Sequence, residues 1–251
     1  MQKNELFWDD KIQFFHYESI DSTNKRAIEY AREGGQSPAL FLADTQTAGS
    51  GRLGRSFFSP DKTGIYMTLL TEVSGEEQGF TLLTALAAVC AREAIYEELG
   101  VAVEIKWVND LYLGGKKVAG ILAQSFFEGE RRFVALGVGI NLSTRAFPPE
   151  LSDKAGSLLD TDDVDVDVCR RKIALGFCRR ILEALHANDL GGYIESYRRH
   201  SCVIGRRVRF SQNGVEHCGF AKDITDMGAL VIELDTGETM LLSSGEISLF
   251  I

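Results

Sequence analysis

Apolar stretches of strand length alternate with clusters of turn formers along the first third of the chain. Residues 14–20 (Phe-Phe-His-Tyr-Glu-Ser-Ile), 39–44 and 64–73 are dominated by aromatic and aliphatic side chains over lengths that suit single strands. Between the first two, Asp21-Ser22-Thr23-Asn24 offers several side-chain oxygens able to cap a helix, which is predicted to run to about residue 33. Gly34-Gly35 ends it, because glycine accepts the left-handed backbone found at helix C-termini. Residues 81–99 are dense in alanine and leucine, both strong helix formers, and Gly100 closes that second helix.

From residue 103 to 142 the pattern changes to strands separated by Gly114-Gly115 and Glu128-Gly129-Glu130, which predicts an antiparallel meander. After an acidic stretch at 160–167, Ile173, Phe177, Ile181 and Leu185 recur at helical spacing and predict a helix over 168–187; residues 193–200 read as one more short helix. Past Cys202 the chain breaks into short strands with turns at Gln212-Asn213-Gly214 and Asp235-Thr236-Gly237, the pattern of a small β-barrel. The fold class is therefore α+β, with a mixed, largely antiparallel sheet and helices packed on it. Two units are expected, residues 1–200 and 201–251.

With 251 residues, 45% of them hydrophobic, the chain can bury a substantial core. Its net charge of -9 argues against broad nucleic-acid binding, which relies on a basic surface. No run approaches the roughly 18 consecutive apolar residues of a membrane span, and residues 1–10 lack the apolar centre of a signal peptide. The five cysteines, at 90, 169, 178, 202 and 218, form no C-x-x-C pair and read as ordinary thiols. A reducing, cytoplasmic setting is expected.

Against this acidic background stands Gly49-Ser50-Gly51-Arg52-Leu53-Gly54-Arg55. Glycines let a backbone approach a ligand closely, and guanidinium forks take carboxylate or phosphate oxygens in pairs. The spacing satisfies the dinucleotide fingerprint, and Glu72 follows at a suitable distance, but that motif needs a helix directly after the loop. Here Arg55-Ser-Phe-Phe-Ser-Pro60-Asp-Lys-Thr-Gly64 leads to a strand instead. A P-loop fails as well, since no Gly-Lys-Ser/Thr follows. A surface turn that carries two arginines is the remaining plain alternative. Further on, Val103, Ile105 and Trp107 alternate with Glu104, Lys106 and Val108, so Lys106 points away from the Ile-Trp face. An isolated strand lysine ordinarily faces solvent; here Asn109-Asp110 follows at once, and two glycine-bearing segments, Lys117-Val-Ala-Gly120-Ile-Leu and Gly137-Val-Gly139-Ile-Asn141, lie downstream.

Taken together these motifs resemble the biotin protein ligases over nearly the whole chain. The family's Gly-Arg-Gly-Arg-x-Gly-Arg loop stands as residues 49–55, followed by Phe57 and Ser59-Pro60, and its Lys-Trp-Pro-Asn-Asp as residues 106–110. Ser22-Thr23-Asn24, Gln46, Lys117 to Leu122 and Gly139-Ile140-Asn141 complete the likeness. Ser50 replaces the loop's first arginine, which removes one anion contact; Phe57 replaces a frequent tryptophan and Val108 a proline. The resemblance implies a sheet like that of class II aminoacyl-tRNA synthetases and biotin ligases, with a C-terminal SH3-like barrel. It also implies attachment of biotin to a lysine of a biotin carboxyl carrier domain through biotinyl-adenylate, with ATP and Mg2+.

By that resemblance Lys106, Arg52 and Arg55 are catalytic. Ser22, Thr23, Asn24, Gln46, Ser50, Gly51, Arg52, Lys106 and Gly120 meet biotin, and Arg52, Arg55, Phe57, Lys106, Asn109 and Asn141 meet ATP. Asn109 and Asp110 lie near magnesium, mainly through phosphates and water, and Asp110 is a candidate base for the acceptor lysine. Plain N-capping for Ser22-Thr23 and a strand-end polar role for Asn141 remain as structural alternatives. About a dozen residues precede the first strand, too few for the DNA-binding domain of some relatives, so no operator binding is expected; a homodimer is possible. A lipoate ligase or a non-catalytic biotin-binding protein are the competing readings.

Overall fold

The computed structural model describes residues 12–73, 80–160, 164–187, 191–212 and 214–249. The N-terminal stretch tested for a signal peptide, positions 161–163 of the acidic run and Asn213 of the first C-terminal turn lie outside the described residues.

Strand β1 (Gln13–Ile20) leads through helix α1 (Thr23–Arg32) to β2 (Ala39–Gln46), and β1 and β2 pair in parallel. A helical crossover is what a parallel neighbour requires. Ser22 caps α1 with its side chain, and Gly34 at φ +81 follows the helix end. β3 (Gly64–Glu72), β4 (Glu104–Lys106), β5 (Asp110–Leu113), β6 (Lys116–Glu128) and β7 (Arg131–Asn141) complete a seven-stranded sheet in the order β1-β2-β3-β7-β6-β5-β4. Every pair but the first is antiparallel.

Successive side chains of a strand face opposite sides, and here both sides are used. Phe41, Leu70, Phe133 and Ala135 pack beneath Ala27 and Ala31 of α1. Leu40, Leu42, Met67, Leu69, Leu136 and Val138 join the larger core formed by α2 (Phe80–Leu99), α3 (Val166–Ala187) and α4 (Gly191–Arg199). β2 and β3 are therefore buried almost throughout, as strands covered on both faces must be. None of the described helices is long and apolar enough to cross a membrane.

After α4 the chain passes alongside β4, where Ile105 N donates to His200 O and Cys202 N to Ile105 O. It then enters a second sheet of β8 (Arg207–Gln212), β9 (Val215–Ile224), β10 (Leu230–Leu234), β11 (Thr239–Leu242) and β12 (Ile247–Leu249), in the order β11-β10-β9-β8-β12. The expected barrel is not closed: the outermost strands β11 and β12 do not pair among the described residues. The segment joining them turns its carbonyls toward the first unit instead. Thr81 Oγ1 donates to Ser243 O at 3.0 Å and Arg52 Nη1 to Gly245 O at 3.4 Å. Apolar packing runs on from the large core through Val203 into Val208, Phe210, Ile224 and Ile232 of the second sheet.

One charged group lies deep in this frame. Asp44 of β2 accepts from Arg170 Nη2 of α3 at 2.8 Å and faces His16 Nε2 at 2.9 Å, and the Asp44 and Arg170 side chains are both buried. Burial alone would raise the Asp44 carboxyl, but hydrogen bonds from His16 and Arg170 and the guanidinium charge hold it below its ordinary value. Arg170→Met should leave Asp44 in the interior with only His16 and destabilise the fold by about 3–5 kcal/mol, read from urea unfolding. A depressed folded-state value contributes stability that is present above the unfolded value of about 3.9 and is lost as pH falls through the folded one. The stability difference between wild type and Asp44→Asn should therefore hold constant at neutral pH and narrow below about pH 4.

Candidate active site

The cap of α1 and the end of β2 form one polar network. Gln46 Oε1 accepts from Thr23 N at 2.8 Å and Thr23 Oγ1 at 3.1 Å, while Gln46 Nε2 donates to Ser59 Oγ at 3.2 Å. Thr68 Oγ1, buried on β3, lies 2.8 Å from Thr23 Oγ1 and 2.6 Å from Asn24 Oδ1. Asn24 Nδ2 donates to Leu122 O and to Gln124 Oε1 on β6. Ser22, Thr23 and Asn24 thus serve the fold, and the same residues line the cleft beside them. Capping and cleft lining coexist at this junction.

Residues 49–57 form a small closed loop in which Gly51 N donates to Arg55 O at 2.6 Å and Phe57 N to Gly49 O at 2.8 Å. Its tip is a single 3-10 turn, Arg52–Gly54, with Leu53 and Gly54 both at positive φ. The absence of a following α-helix agrees with the rejection of the dinucleotide motif. Phe57 lies across the sheet: a methyl group added to Gly139 would sit 2.5 Å from its ring, and one added to Gly120 would sit 3.5 Å away. Gly120 and Gly139 are direct partners across β6 and β7.

Lys106 ends β4 on the face opposite the buried Ile105 and Trp107. Its Nζ donates to Tyr112 Oη at 3.3 Å and stands 5.1 Å from the centre of that ring. Burial raises the Tyr112 phenol, with the charge of Asp110 acting in the same direction, so the hydroxyl remains a neutral acceptor for the ammonium. Asn109 Oδ1 accepts from Arg52 Nη1 at 3.2 Å, and its Nδ2 donates to Ile121 O at 2.9 Å. Asp110 pairs with Lys117 at 2.6 Å. Arg55 forms a two-pronged pair with Glu246 at the second sheet, one prong measuring 2.5 Å.

Arg52, Arg55 and Lys106 therefore converge on one cleft of about 510 Å3. Ser22, Thr23, Asn24, Gln46, Ser50, Gly51, Phe57, Asn109, Asp110 and Gly120 line it too. Asn141 does not: it is buried at the end of β7 and gives its amide to Gly156 O at 3.0 Å. Sequence reasoning missed Tyr112, Lys154, Glu246 and the charge of Lys117, all of them cleft-lining. Lys117 was legible in principle, since a short β5–β6 hairpin brings it near Asp110. Nothing local marks Glu246.

Five cations, Arg52, Arg55, Lys106, Lys117 and Lys154, share the cleft with two carboxylates, Asp110 and Glu246. An excess of positive charge in a chain of net charge -9 fits a polyanionic ligand. A resident metal fits poorly. The described residues hold no group of three or more His, Cys, Asp or Glu able to bind one; Asn109 accepts from Arg52, and Asp110 Oδ1 lies 2.6 Å from Lys117 Nζ as an ion pair without a completed hydrogen bond. Magnesium keeps water and binds through phosphates, so it suits this cleft as a companion of a nucleotide.

Residues 17–141 match the biotin/lipoate A/B protein ligase family, and residues 203–249 match the biotin protein ligase C-terminal domain. The chain is 39% identical to a biotin--[acetyl-CoA-carboxylase] ligase of Paracoccus denitrificans, covering 88% of this chain and 94% of that protein. It is 32% identical to the bifunctional ligase/repressor BirA of Bacillus subtilis, covering 91% of this chain and 72% of the relative. In three dimensions it resembles the biotin protein ligase of Aquifex aeolicus in complex with biotin and ATP. That likeness has a TM-score of 0.78 and 25% identity, and covers 95% of this chain and 98% of the other.

The floor of the cleft is sterically tight at Gly137, where an added methyl group would stand 2.0 Å from Asn24 Oδ1. Gly137→Ala should push Asn24 off Thr68 and lower stability by about 1–3 kcal/mol, the usual cost of overpacking. A thermal melt compared with that of wild type measures it.

Proposed function

The chain belongs to the biotin/lipoate A/B protein ligase family, on its biotin protein ligase branch, and from that membership we propose how the cleft performs ATP-dependent attachment of biotin to a carrier lysine. In the first step a biotin carboxylate oxygen attacks the α-phosphorus of ATP. The bond to the β-phosphate oxygen breaks, pyrophosphate leaves and biotinyl-adenylate forms. In the second step the carrier lysine nitrogen attacks the acyl carbon, AMP departs, and the amide nitrogen loses a proton. The observation that carries this reading is the convergence of Arg52, Arg55 and Lys106 on one cleft.

The chemistry of the first step asks for cations. Carboxylate and triphosphate repel each other, and negative charge gathers on the phosphorus as the new bond forms. Lys106 is assigned to that centre, where a donor fixed in advance costs no reorganisation during reaction. Arg52 and Arg55 are assigned to the phosphates, Lys117 to the junction of carboxylate and phosphate, and Phe57 to the adenine face. Ser22, Thr23 and Gln46 take the flat ureido ring, whose donors and acceptors match hydroxyl and amide groups. Magnesium enters with ATP as part of the substrate. The sheet's assignment to the class II synthetase type agrees with this chemistry, since those enzymes also activate a carboxylate as an adenylate.

For the second step the acceptor lysine must lose its proton, since at pH 7 only about one in 2,500 such amines is neutral. Asp110 can take that proton only if its pair with Lys117 opens. The acceptor is a biotin carboxyl carrier domain, the partner class implied by the names of the relatives. We place the division between catalytic and C-terminal units at residues 200 and 201, where the chain runs alongside β4.

Two measurements test the assignment. Incubation with biotin, MgATP and a carrier domain should add one biotinyl group to the carrier, read by intact mass; lipoate in place of biotin should add nothing. Lys106→Ala should lower ATP–pyrophosphate exchange by roughly a hundred- to a thousandfold. Near-normal exchange in the purified variant would remove Lys106 from the chemistry.

A further inference from the structure

Glu246 belongs to no part of the mechanism above, yet it lines the cleft and grips the glycine loop. It sits just before β12, beside Ile247, which is buried and paired with Phe210 of β8. The second sheet is in turn anchored to the first unit. Trp107 Nε1 donates to Gly228 O at 3.0 Å, Arg198 Nη2 pairs with Asp226 at 2.5 Å, and Thr81 holds Ser243 O. The backbone that carries Glu246 is thus held by the second sheet, and the pair itself lies at the surface, with the side chains of Arg55 64% and Glu246 53% exposed.

Both outer nitrogens of Arg55 meet Glu246, one at each carboxylate oxygen. Two parallel N–H···O bonds are also the geometry in which a guanidinium takes a phosphate. While Glu246 occupies that edge, Arg55 cannot present it to a nucleotide. We propose that Glu246 is an internal anion that holds Arg55 until a nucleotide phosphate displaces it, so that nucleotide binding unlatches the glycine loop from the C-terminal sheet. This rests on the ligase reading for the identity of the displacing anion, but the latch itself does not. Arg52 provides a second point of attachment through Gly245 O, which keeps the loop near the second sheet when Arg55 exchanges partners.

The exchange makes Glu246 a positioning residue with an unusual sign: removing its charge should help nucleotide binding. MgATP, in the form of its α,β-methylene analogue so that no adenylate can form, is titrated into the full chain with biotin present, for wild type, Glu246→Gln, Arg55→Met and the double variant. Glu246→Gln should bind MgATP about two- to fivefold more tightly, the range expected on losing an exposed competing pair. The gain should vanish when position 55 is already methionine. A gain that persists in the Arg55→Met background would reflect general repulsion between Glu246 and the phosphates and would overturn the exchange. Unchanged or weaker binding by Glu246→Gln would overturn it too.

Amide hydrogen exchange over residues 50–56 and 245–249, without ligand, judges the latch separately. Exchange should be faster in Glu246→Gln, and equal rates would mean that no latch exists. A wild-type protein with no affinity for MgATP would instead count against the ligase reading, with the latch still decided by exchange.

Discussion

Five cationic side chains in one cleft repel one another, and four of them are each set against a counterpart of their own. Arg52 faces the amide oxygen of Asn109, Arg55 the carboxylate of Glu246, Lys106 the phenol of Tyr112, and Lys117 the carboxylate of Asp110. Two of these counterparts are full charges and two are dipoles. The distinction matters, because a dipole steadies a cation without cancelling it. Arg52 and Lys106 therefore keep their charge available to a ligand, whereas Arg55 and Lys117 are held neutralised in pairs. The cleft combines cations ready for an anion with others that must first let one go.

The second constraint is a floor without side chains. Gly137 and Gly139 alternate with Leu136, Val138 and Ile140 on β7, so this part of the strand buries branched side chains on one face and leaves the other bare at two successive positions. Asn24 and Phe57 exploit that bareness, approaching Gly137 and Gly139 too closely for any Cβ. A ligand lying along β6 and β7 would meet backbone, and backbone can hydrogen-bond without the rotamer freedom that a side chain would have to lose. The spacing of these glycines is therefore set by the two-residue period of the strand, not by loop flexibility.

Local signals made the helices and most strands legible. The Ser22 cap, the Gly34 and Gly100 stops and the turns at Gly114-Gly115 and Gly129 all lie within a few residues of what they determine. Open closure of the C-terminal strands was not legible, because β11 and β12 are separated by bonds from Ser243 and Gly245 to residues more than 150 positions away. The bond made by the Asn141 amide was not legible either, because only the approach of Gly156 shows where that amide goes. Arg52, Arg55 and Lys106 could be named from sequence because their chemistry is distinctive. Their partners could not, since an acceptor such as Glu246 looks like any surface glutamate until the chain has folded.

The end of β4 shows why the two units form one machine. Three consecutive residues engage three different parts of the molecule: Lys106 enters the cleft, Trp107 Nε1 bonds to Gly228 O of the second sheet, and Val108 O accepts from buried Tyr197 Oη of α4 at 2.9 Å. A long ammonium side chain has many rotamers, so its root must be fixed if its tip is to serve one reacting centre; catalytic groups need placement to within about 0.5 Å. Trp107 and Val108 supply that fixity from either side of the strand. The C-terminal sheet thus reaches the chemistry by two routes, through the backbone beneath Lys106 and through the carboxylate opposite Arg55. The first route is rigid and the second exchangeable, so a single module can steady one cleft cation while yielding another.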